Sequence, residues 1–227
     1  TFIKQAGSFP AGVDHIVEIY KKKPKLKLFH DELRYLYDSD NKFFSDSEVI
    51  DNLQNTHFTN DVEKNLSKAY ELFMKASAKG NYYADNQLGF MHRYGIHVSK
   101  NLSEAFRYIQ FAAGKGNPPA QANLADLYRL GEGTPKNPDL AFQWALKSSE
   151  KKWPGGFNVL GLLFRDGIGV RQDSEAAISL FKDAIATKRS PSAYSNLGVM
   201  YFRGIGVPVN RTEARKWFEE GAKVKHS

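Results

Sequence analysis

AYSNLGVMYFRGIGV, residues 193–207, is the last of four related segments in the chain. The others are ADNQLGFMHRYGIHV at 84–98, AQANLADLYRLGEGT at 120–134 and GFNVLGLLFRDGIGV at 156–170. In each segment a leucine precedes a glycine by seven residues, and ten residues after that glycine, beyond the segment, the chain has an alanine. The leucine, the glycine and the alanine each recur in steps of 36, 36 and 37 residues. A fixed period in this range is typical of a solenoid, whose units bury their apolar faces by stacking on their neighbours. The repeat therefore predicts the fold, and it favours partner binding over catalysis.

The composition excludes several classes of protein. The chain has 227 residues, of which 41% are hydrophobic, and no apolar run approaches the ~18 residues of a membrane span. It has no cysteine, which excludes disulfides, cysteine-ligated metals and thiol catalysis. The net charge of +7 fits an acidic partner. No motif of a nucleic-acid-binding protein accompanies this charge, so we expect no nucleic-acid partner. The chain begins at Thr1 and not at Met, so we expect it to be processed or to belong to a longer chain.

Each repeat is predicted to form two helices joined by a turn. In the copy at 118–153, apolar residues from 119 to 130 follow helical spacing, and Gly131 allows the left-handed conformation that ends a helix. Asn137 is a suitable N-cap and Pro138 suits the first helical position after it. Capping boxes are expected where a glutamate lies three residues after a cap, at Glu104 and Glu213. The predicted caps are Asn65, Asn101, Asn137, Asp173 and Asn210.

Two further positions are predicted to set the packing. Small residues recur where two helices approach closely, at Ala69, Ala105, Ala141, Ala177 and Ala214. Larger side chains are expected to fill the space between repeats, at Phe73, Ile109, Phe181 and Phe218. Together these features predict an all-α fold.

The best-preserved copies resemble the Sel-1-like repeat, a relative of the tetratricopeptide repeat. The resemblance rests on LGVMYFRGIGV at 197–207 and LGLLFRDGIGV at 160–170, each followed by a capped helix, and covers about residues 65–227. One copy departs from the pattern at His97, which replaces the second glycine of the turn. The resemblance implies a right-handed α-solenoid of antiparallel helix pairs with a 36-residue period. It also implies an adaptor or scaffold, since similar proteins occur in endoplasmic-reticulum quality-control complexes, bacterial envelope and virulence proteins, and signalling assemblies.

The resemblance divides the chain into two regions. Residues 65–227 are expected to hold the second helix of a first copy and four full copies near 82–117, 118–153, 154–190 and 191–227. Residues 1–64 depart from the pattern, since Thr59 stands where a glycine turn is expected. We interpret them as a divergent N-terminal helical cap with a degenerate repeat, and a specialised docking segment is the alternative. The compartment stays open, although the resemblance and the absence of cysteine favour an extracytoplasmic one, either a bacterial envelope or secreted location or the endoplasmic-reticulum lumen.

A row of arginines is the sharpest candidate site. Three arginines follow a repeat leucine by five residues, and tetratricopeptide-type arrays turn this position toward their concave groove. Arginine suits bidentate recognition of carboxylates and phosphates. The alternative is that each arginine packs its stem on aromatic neighbours or pairs with an acid of its own chain, such as Asp126 or Asp166. The candidate partner-binding residues are Arg93, Arg129, Arg165, Phe202, Phe90 and Asp126.

The sequence offers no arrangement for catalysis or for a metal. His92 and His97 do not have a zinc spacing and have no cysteine or clustered carboxylate beside them. Neither a Ser-His-Asp set nor a pair of carboxylates can be argued. Glycine pairs such as Gly167 and Gly169 lack the strand and the Lys-Ser/Thr of a phosphate loop. We therefore expect no enzyme activity, no cofactor and no metal site.

These observations predict a non-catalytic scaffold that binds a partner segment, acidic in character, on its concave face. The alternatives are an architectural spacer that contacts partners through its ends and an enzyme or glycan-binding protein built on the array. The final helix, from Thr212 to about residue 224, keeps the apolar pattern of the inner copies, including Trp217 and Phe218. One apolar face is therefore expected to stay exposed there and to allow end-to-end self-association.

Overall fold

The computed structural model describes residues 62–187 and 190–226, and only the backbone at 62–65 and 225–226. Within these ranges all regular structure is helical, as predicted. The chain divides into two compact units, one ending at Asn101 and one beginning at Leu102. The first unit contains α1 (Val62–Ala78) and α2 (Tyr82–Tyr94). The second contains α3 (Leu102–Gly114), α4 (Pro118–Leu130), α5 (Pro138–Glu150), α6 (Pro154–Asp166), α7 (Ser174–Ala186), α8 (Pro191–Arg203) and α9 (Arg211–His226).

The predicted N-terminal cap over residues 1–64 lies outside the described residues, apart from the first turn of α1. The four first helices of the repeats are α2, α4, α6 and α8, and the second helices are α3, α5, α7 and α9. Helix α1 is the second helix of the first copy.

Side-chain caps begin α5, α7 and α9 where the sequence predicts them. The side chain of Asn137 accepts a hydrogen bond from the backbone N–H of Leu140 at 3.0 Å. Asp173 and Asn210 accept in the same way at 2.9 Å, each from the residue three positions later. These bonds satisfy backbone donors that the first turn of a helix leaves without a partner.

The predicted cap at Asn65 is wrong. Helix α1 already begins at Val62 and has 17 residues, compared with 13 in α3. The stretch from Val62 to Lys64 contains no glycine or proline to stop a helix, so the helix extends one turn further toward the N-terminus and Asn65 lies inside it.

The backbone donors that the two predicted capping boxes need are already used in another bond, and the predicted box at Glu213 does not form. The N–H of Asn101 donates to the carbonyl of His92 at 2.9 Å, and the N–H of Asn210 donates to the carbonyl of Tyr201 at 2.9 Å. The glutamates pair instead within their own helices, Glu104 with Arg107 at 2.7 Å. The same backbone bond joins residues 137 and 128 and residues 173 and 164. It therefore recurs in all four repeats whose two helices are described, linking the end of the turn to the first helix.

In the four repeats whose two helices the structure describes, the turn between them has seven residues and begins with a left-handed glycine. Gly131 has φ +76° and donates its backbone N–H to the carbonyl of Leu127. Two residues on, a second left-handed glycine touches the start of the preceding second helix: a Cβ on Gly169 would lie 2.5 Å from the carbonyl oxygen of Pro138. In the first unit His97 takes this place with φ +62°. The turns of the second unit therefore act as spacers that set one repeat against the previous one.

The core follows the predicted small and large positions. The repeated alanines of the second helices are 0–1% exposed, at Ala105, Ala141, Ala177 and Ala214. Phe181 is completely buried and lies against Gly161, where a Cβ would come within 2.5 Å of the ring. Phe218 lies against Gly198 in the same way but is 40% exposed, because no helix of the described chain covers it.

Candidate partner-binding surface

The candidate surface in the second unit lies on α4, α6 and α8, and we call it the first-helix face. On α4, Arg129 donates from Nε and Nη2 to one carboxylate oxygen of Asp126, at 3.0 and 2.7 Å. Both side chains remain partly accessible, at 17% and 22%. The structure therefore brings together two residues that the sequence put in the candidate site, and it joins them as an ion pair within one helix.

One repeat further, Arg165 forms a similar pair with the adjacent acid. Its Nε and Nη2 donate to the two carboxylate oxygens of Asp166, at 2.7 and 2.8 Å. Arginine has five N–H donors, so Arg129 and Arg165 each keep donors that the neighbouring acid does not use. Pairs of this kind on an exposed helix surface contribute only about 0.5 kcal/mol. A local pair this weak competes little, so both guanidinium groups can bind an incoming carboxylate through the donors that remain.

The last position of the row, Phe202 on α8, is 52% exposed. Together with Ala214, Phe218 and Ala222 it lines an open groove of about 360 Å³, which we call the end groove. The charged rim of the end groove is formed by Arg211, Arg215 and Glu219. Trp217 is half-buried and packs near Tyr194, with 6.2 Å between ring centroids, so Phe218 contributes more of the exposed apolar surface.

In the first unit, the two predicted site residues lie in the interior. Arg93 is only 7% exposed, and its guanidinium lies 5.4 Å from the ring centroid of Tyr94. Phe90 is 4% exposed and packs on the same ring at 4.5 Å. The local surroundings of Arg93 thus differ from those of Arg129 and Arg165, although all three share one position in the repeat. His92 is half-buried beside the hydroxyl of Tyr70, at 3.4 Å, as expected of a packed helix residue.

Three polar residues of the first-helix face were not predicted from the sequence. The side-chain amide of Asn196 on α8 donates to the side-chain oxygen of Asn158 on α6 at 2.8 Å. Asn158 precedes its repeat leucine by two residues and Asn196 by one, so an alignment by period does not place them together. Arg203 is exposed at a position where the two preceding repeats have Leu130 and Asp166. Only helical geometry across neighbouring repeats could have indicated these residues.

The described part of the chain shows no arrangement that holds a metal ion. Among residues 62–187 and 190–226, no group of three or more His, Asp or Glu side chains lies close enough together. None of the helices described is long and apolar enough to cross a membrane.

Comparison with known proteins agrees with the observed fold. The Sel1 repeat profile matches residues 59–81, 83–117, 118–152, 158–186 and 191–226. A Sel1 repeat protein from Oxalobacter formigenes is similar in structure, with 29% identity and a TM-score of 0.60 over 76% of this chain and 69% of that one. A protective antigen of uropathogenic Escherichia coli with an SLR fold is similar at 21% identity and a TM-score of 0.56. That likeness covers 96% of this chain but only 49% of the antigen. No curated protein matches the sequence at a significant level.

Proposed function

Because the chain belongs to the Sel1 repeat family, whose fold commonly serves as a scaffold for protein interactions, we propose that it is a non-catalytic scaffold that binds an acidic partner segment. The segment would lie along the first-helix face, on the side that tetratricopeptide-type arrays turn toward their concave groove. The observation that carries this proposal is the accessible, only partly used pair of guanidinium groups at Arg129 and Arg165. Opposite charge on the partner agrees with the net charge of +7.

The test uses a capped, fluorescently labelled hexaglutamate peptide and measures its anisotropy at low salt. We expect the wild-type chain to bind it, and Arg129→Ala combined with Arg165→Ala to weaken binding about tenfold or more. The matched control combines Arg215→Ala with Lys223→Ala, which removes the same charge from the exposed surface of α9. It should weaken binding about twofold or less, since distant exposed charges are screened.

Equal loss in both double variants would show that the peptide responds to net charge alone, and the proposed site would be wrong. Circular dichroism of each variant checks that helicity is kept. No binding of the peptide to the wild-type chain would favour the architectural spacer over the acidic-segment scaffold.

A second mode, end-to-end self-association through Phe218 and Trp217, is favoured by the end groove. Phe181, the counterpart of Phe218 one repeat earlier, belongs to a core completed by α8 through Ala193 and Leu197. In the end groove Phe218 lies against Gly198 as Phe181 lies against Gly161, but no described helix covers Phe218. Sedimentation velocity should show association that rises with protein concentration and disappears with Phe202→Ser. The control Phe111→Ser removes an equally exposed ring on α3 and should change nothing. A monomer at every concentration would contradict this mode.

A further inference from the structure

Four lysines lie at the edge of the second unit where one repeat connects to the next, and we call this surface the basic edge. They belong to the last turn of α5 and to the connectors after α3 and α5, and all are exposed: Lys115, Lys147, Lys151 and Lys152. The ammonium group of Lys151 donates to the carbonyl of Gly116 at 2.7 Å, so the two connectors lie side by side. The last turn of α5 also carries an acid, Glu150, and four lysines against this one acid leave three positive charges.

Two large apolar side chains are exposed beside these lysines. Phe111 on α3 is 50% exposed, and the ammonium group of Lys115 lies 5.4 Å from its ring centroid. Leu146 on α5 is 40% exposed and directly precedes Lys147. Exposed apolar side chains among lysines are typical of surfaces that lie on a membrane, where the lysines meet the headgroups and the apolar side chains enter the acyl boundary.

The connector at 151–153 departs from the pattern of the other three-residue connectors. Those read KGN, at 79–81 and 115–117, whereas this one reads KKW. Lys152 takes the left-handed place of a glycine, with φ +57°, which costs stability in a residue with a side chain. Trp153 stands where the other two connectors have a capping asparagine, and its side chain makes no cap hydrogen bond. Both departures lower local stability and add a basic and an aromatic side chain, as expected of a surface adapted to a partner.

We propose that the basic edge docks the protein on a membrane surface that contains anionic lipids. Its cations are ammonium groups, which meet anionic headgroups as point charges without a fixed orientation. A nucleic acid would take up the lysines through its phosphates but leave Leu146 in water, whereas the acyl boundary removes this side chain from water. The basic edge is separate from the first-helix face on α4, α6 and α8, so this inference goes beyond the proposed function and does not depend on it.

The test is co-sedimentation of the whole chain at low salt with phosphatidylcholine vesicles that contain about 30% phosphatidylserine. We expect binding to these vesicles and binding about tenfold or more weaker to pure phosphatidylcholine. Lys151→Gln combined with Lys152→Gln should weaken binding about tenfold or more, since each lysine near an anionic surface contributes about fivefold. This loss should shrink at about 0.5 M salt, where charges on the surface are screened.

A second variant tests the apolar contribution without changing any charge. Phe111→Ser combined with Leu146→Ser should weaken binding to the anionic vesicles about tenfold or more, because two apolar side chains no longer leave water.

The matched control combines Lys136→Gln with Arg171→Gln. It removes the same charge as the double lysine variant, but from exposed positions in the turns inside repeats, at the opposite ends of the helices. It should weaken binding about twofold or less. Far-UV spectra of all variants should superimpose on that of the wild-type chain.

Three results would overturn the inference. The first is no sedimentation of the wild-type chain with the anionic vesicles. The second is equal loss in the double lysine variant and the control, which would show that net charge alone matters. The third is a loss in the lysine variant with none in the serine variant, which would indicate a soluble polyanion such as a nucleic acid. The lysine variant should bind hexaglutamate within about twofold of the wild-type chain, so the two proposals fail in different assays.

Discussion

Replacing Gly161 by alanine should destabilise the protein, whereas the same change at Gly198 should not. A Cβ at position 161 would lie 2.5 Å from the Phe181 ring, and at position 198 it would lie 2.6 Å from the Phe218 ring. The two sites differ in the freedom of the ring, because Phe181 is 0% exposed and Phe218 is 40% exposed. A buried ring cannot retreat from the added methyl group, whereas a half-exposed ring can turn toward solvent.

The magnitudes decide the sign at each site. Alanine stabilises a helix interior by about 1 kcal/mol relative to glycine. Overpacking a closed core costs about 1–3 kcal/mol, so the net loss of stability in Gly161→Ala should reach up to about 2 kcal/mol. Gly198→Ala should keep most of the propensity gain and be neutral or up to about 1 kcal/mol more stable.

The assay is urea unfolding followed by far-UV circular dichroism, with the two variants compared with the wild-type chain. A double variant provides the internal check, because Gly161→Ala together with Phe181→Ala reproduces the combination that occurs naturally at Ala125 and Ala145. Added to Phe181→Ala, the alanine at 161 should no longer destabilise, which gives a coupling of about 1–3 kcal/mol. Equal changes at Gly161 and Gly198 would refute the argument that ring burial sets the cost.

Three other outcomes are expected. Gly169→Ala should lose more than about 2 kcal/mol of stability, because φ is +71° and the Cβ would meet the carbonyl of Pro138. Gly167→Ala should lose only about 1 kcal/mol, and comparing the urea midpoints of the two variants checks the difference. Ala141→Leu should lower the urea midpoint by the equivalent of about 1–3 kcal/mol, since Ala141 is completely buried, and an unchanged midpoint would mean that the interface lies elsewhere. Burial raises the pKa of Tyr194 above its ordinary value of 10.0, so its contribution to stability is present below about pH 10 and is lost as pH rises further, because the unfolded chain releases the proton more readily. Urea midpoints measured from about pH 8 to about pH 11 should therefore fall less steeply for Tyr194→Phe than for the wild-type chain.

The fold could be predicted because its determinants are local and recur with the period. Asn137 followed by Pro138, and Gly131 after an amphipathic stretch, each specify a helix end through the chain's immediate neighbours. Asn65 shows the limit of this reasoning, since a residue suited to capping caps a helix only where the preceding backbone is not already helical. The capping box at Glu213 does not form for a different reason. The N–H of Asn210 donates to the carbonyl of Tyr201 instead. Because Tyr201 belongs to the previous helix, the sequence around Glu213 does not indicate this competing bond.

The candidate surface could be predicted only in part. A period identifies positions that are equivalent, and it placed Arg93 in the same row as Arg129 and Arg165. It does not report burial, which differs from repeat to repeat with the surrounding side chains, and so Arg93 lies in the interior. The bond between Asn158 and Asn196 joins two positions that are not equivalent in the repeat. Comparing equivalent positions of successive repeats therefore does not indicate this pair.

The two kinds of connection in the array differ in how much extra sequence they can accept. The turn inside a repeat has seven residues in each of the four full copies, at 95–101, 131–137, 167–173 and 204–210. Its backbone bond to the first helix spans a fixed number of residues, so an insertion there would break the bond and displace the repeats that follow. The connection between repeats has three residues at 115–117 and 151–153 but four at 187–190, which accounts for the single step of 37. Tags, labels or grafted loops thus belong at 187–190, where the chain has already absorbed one additional residue without loss of the pattern on either side.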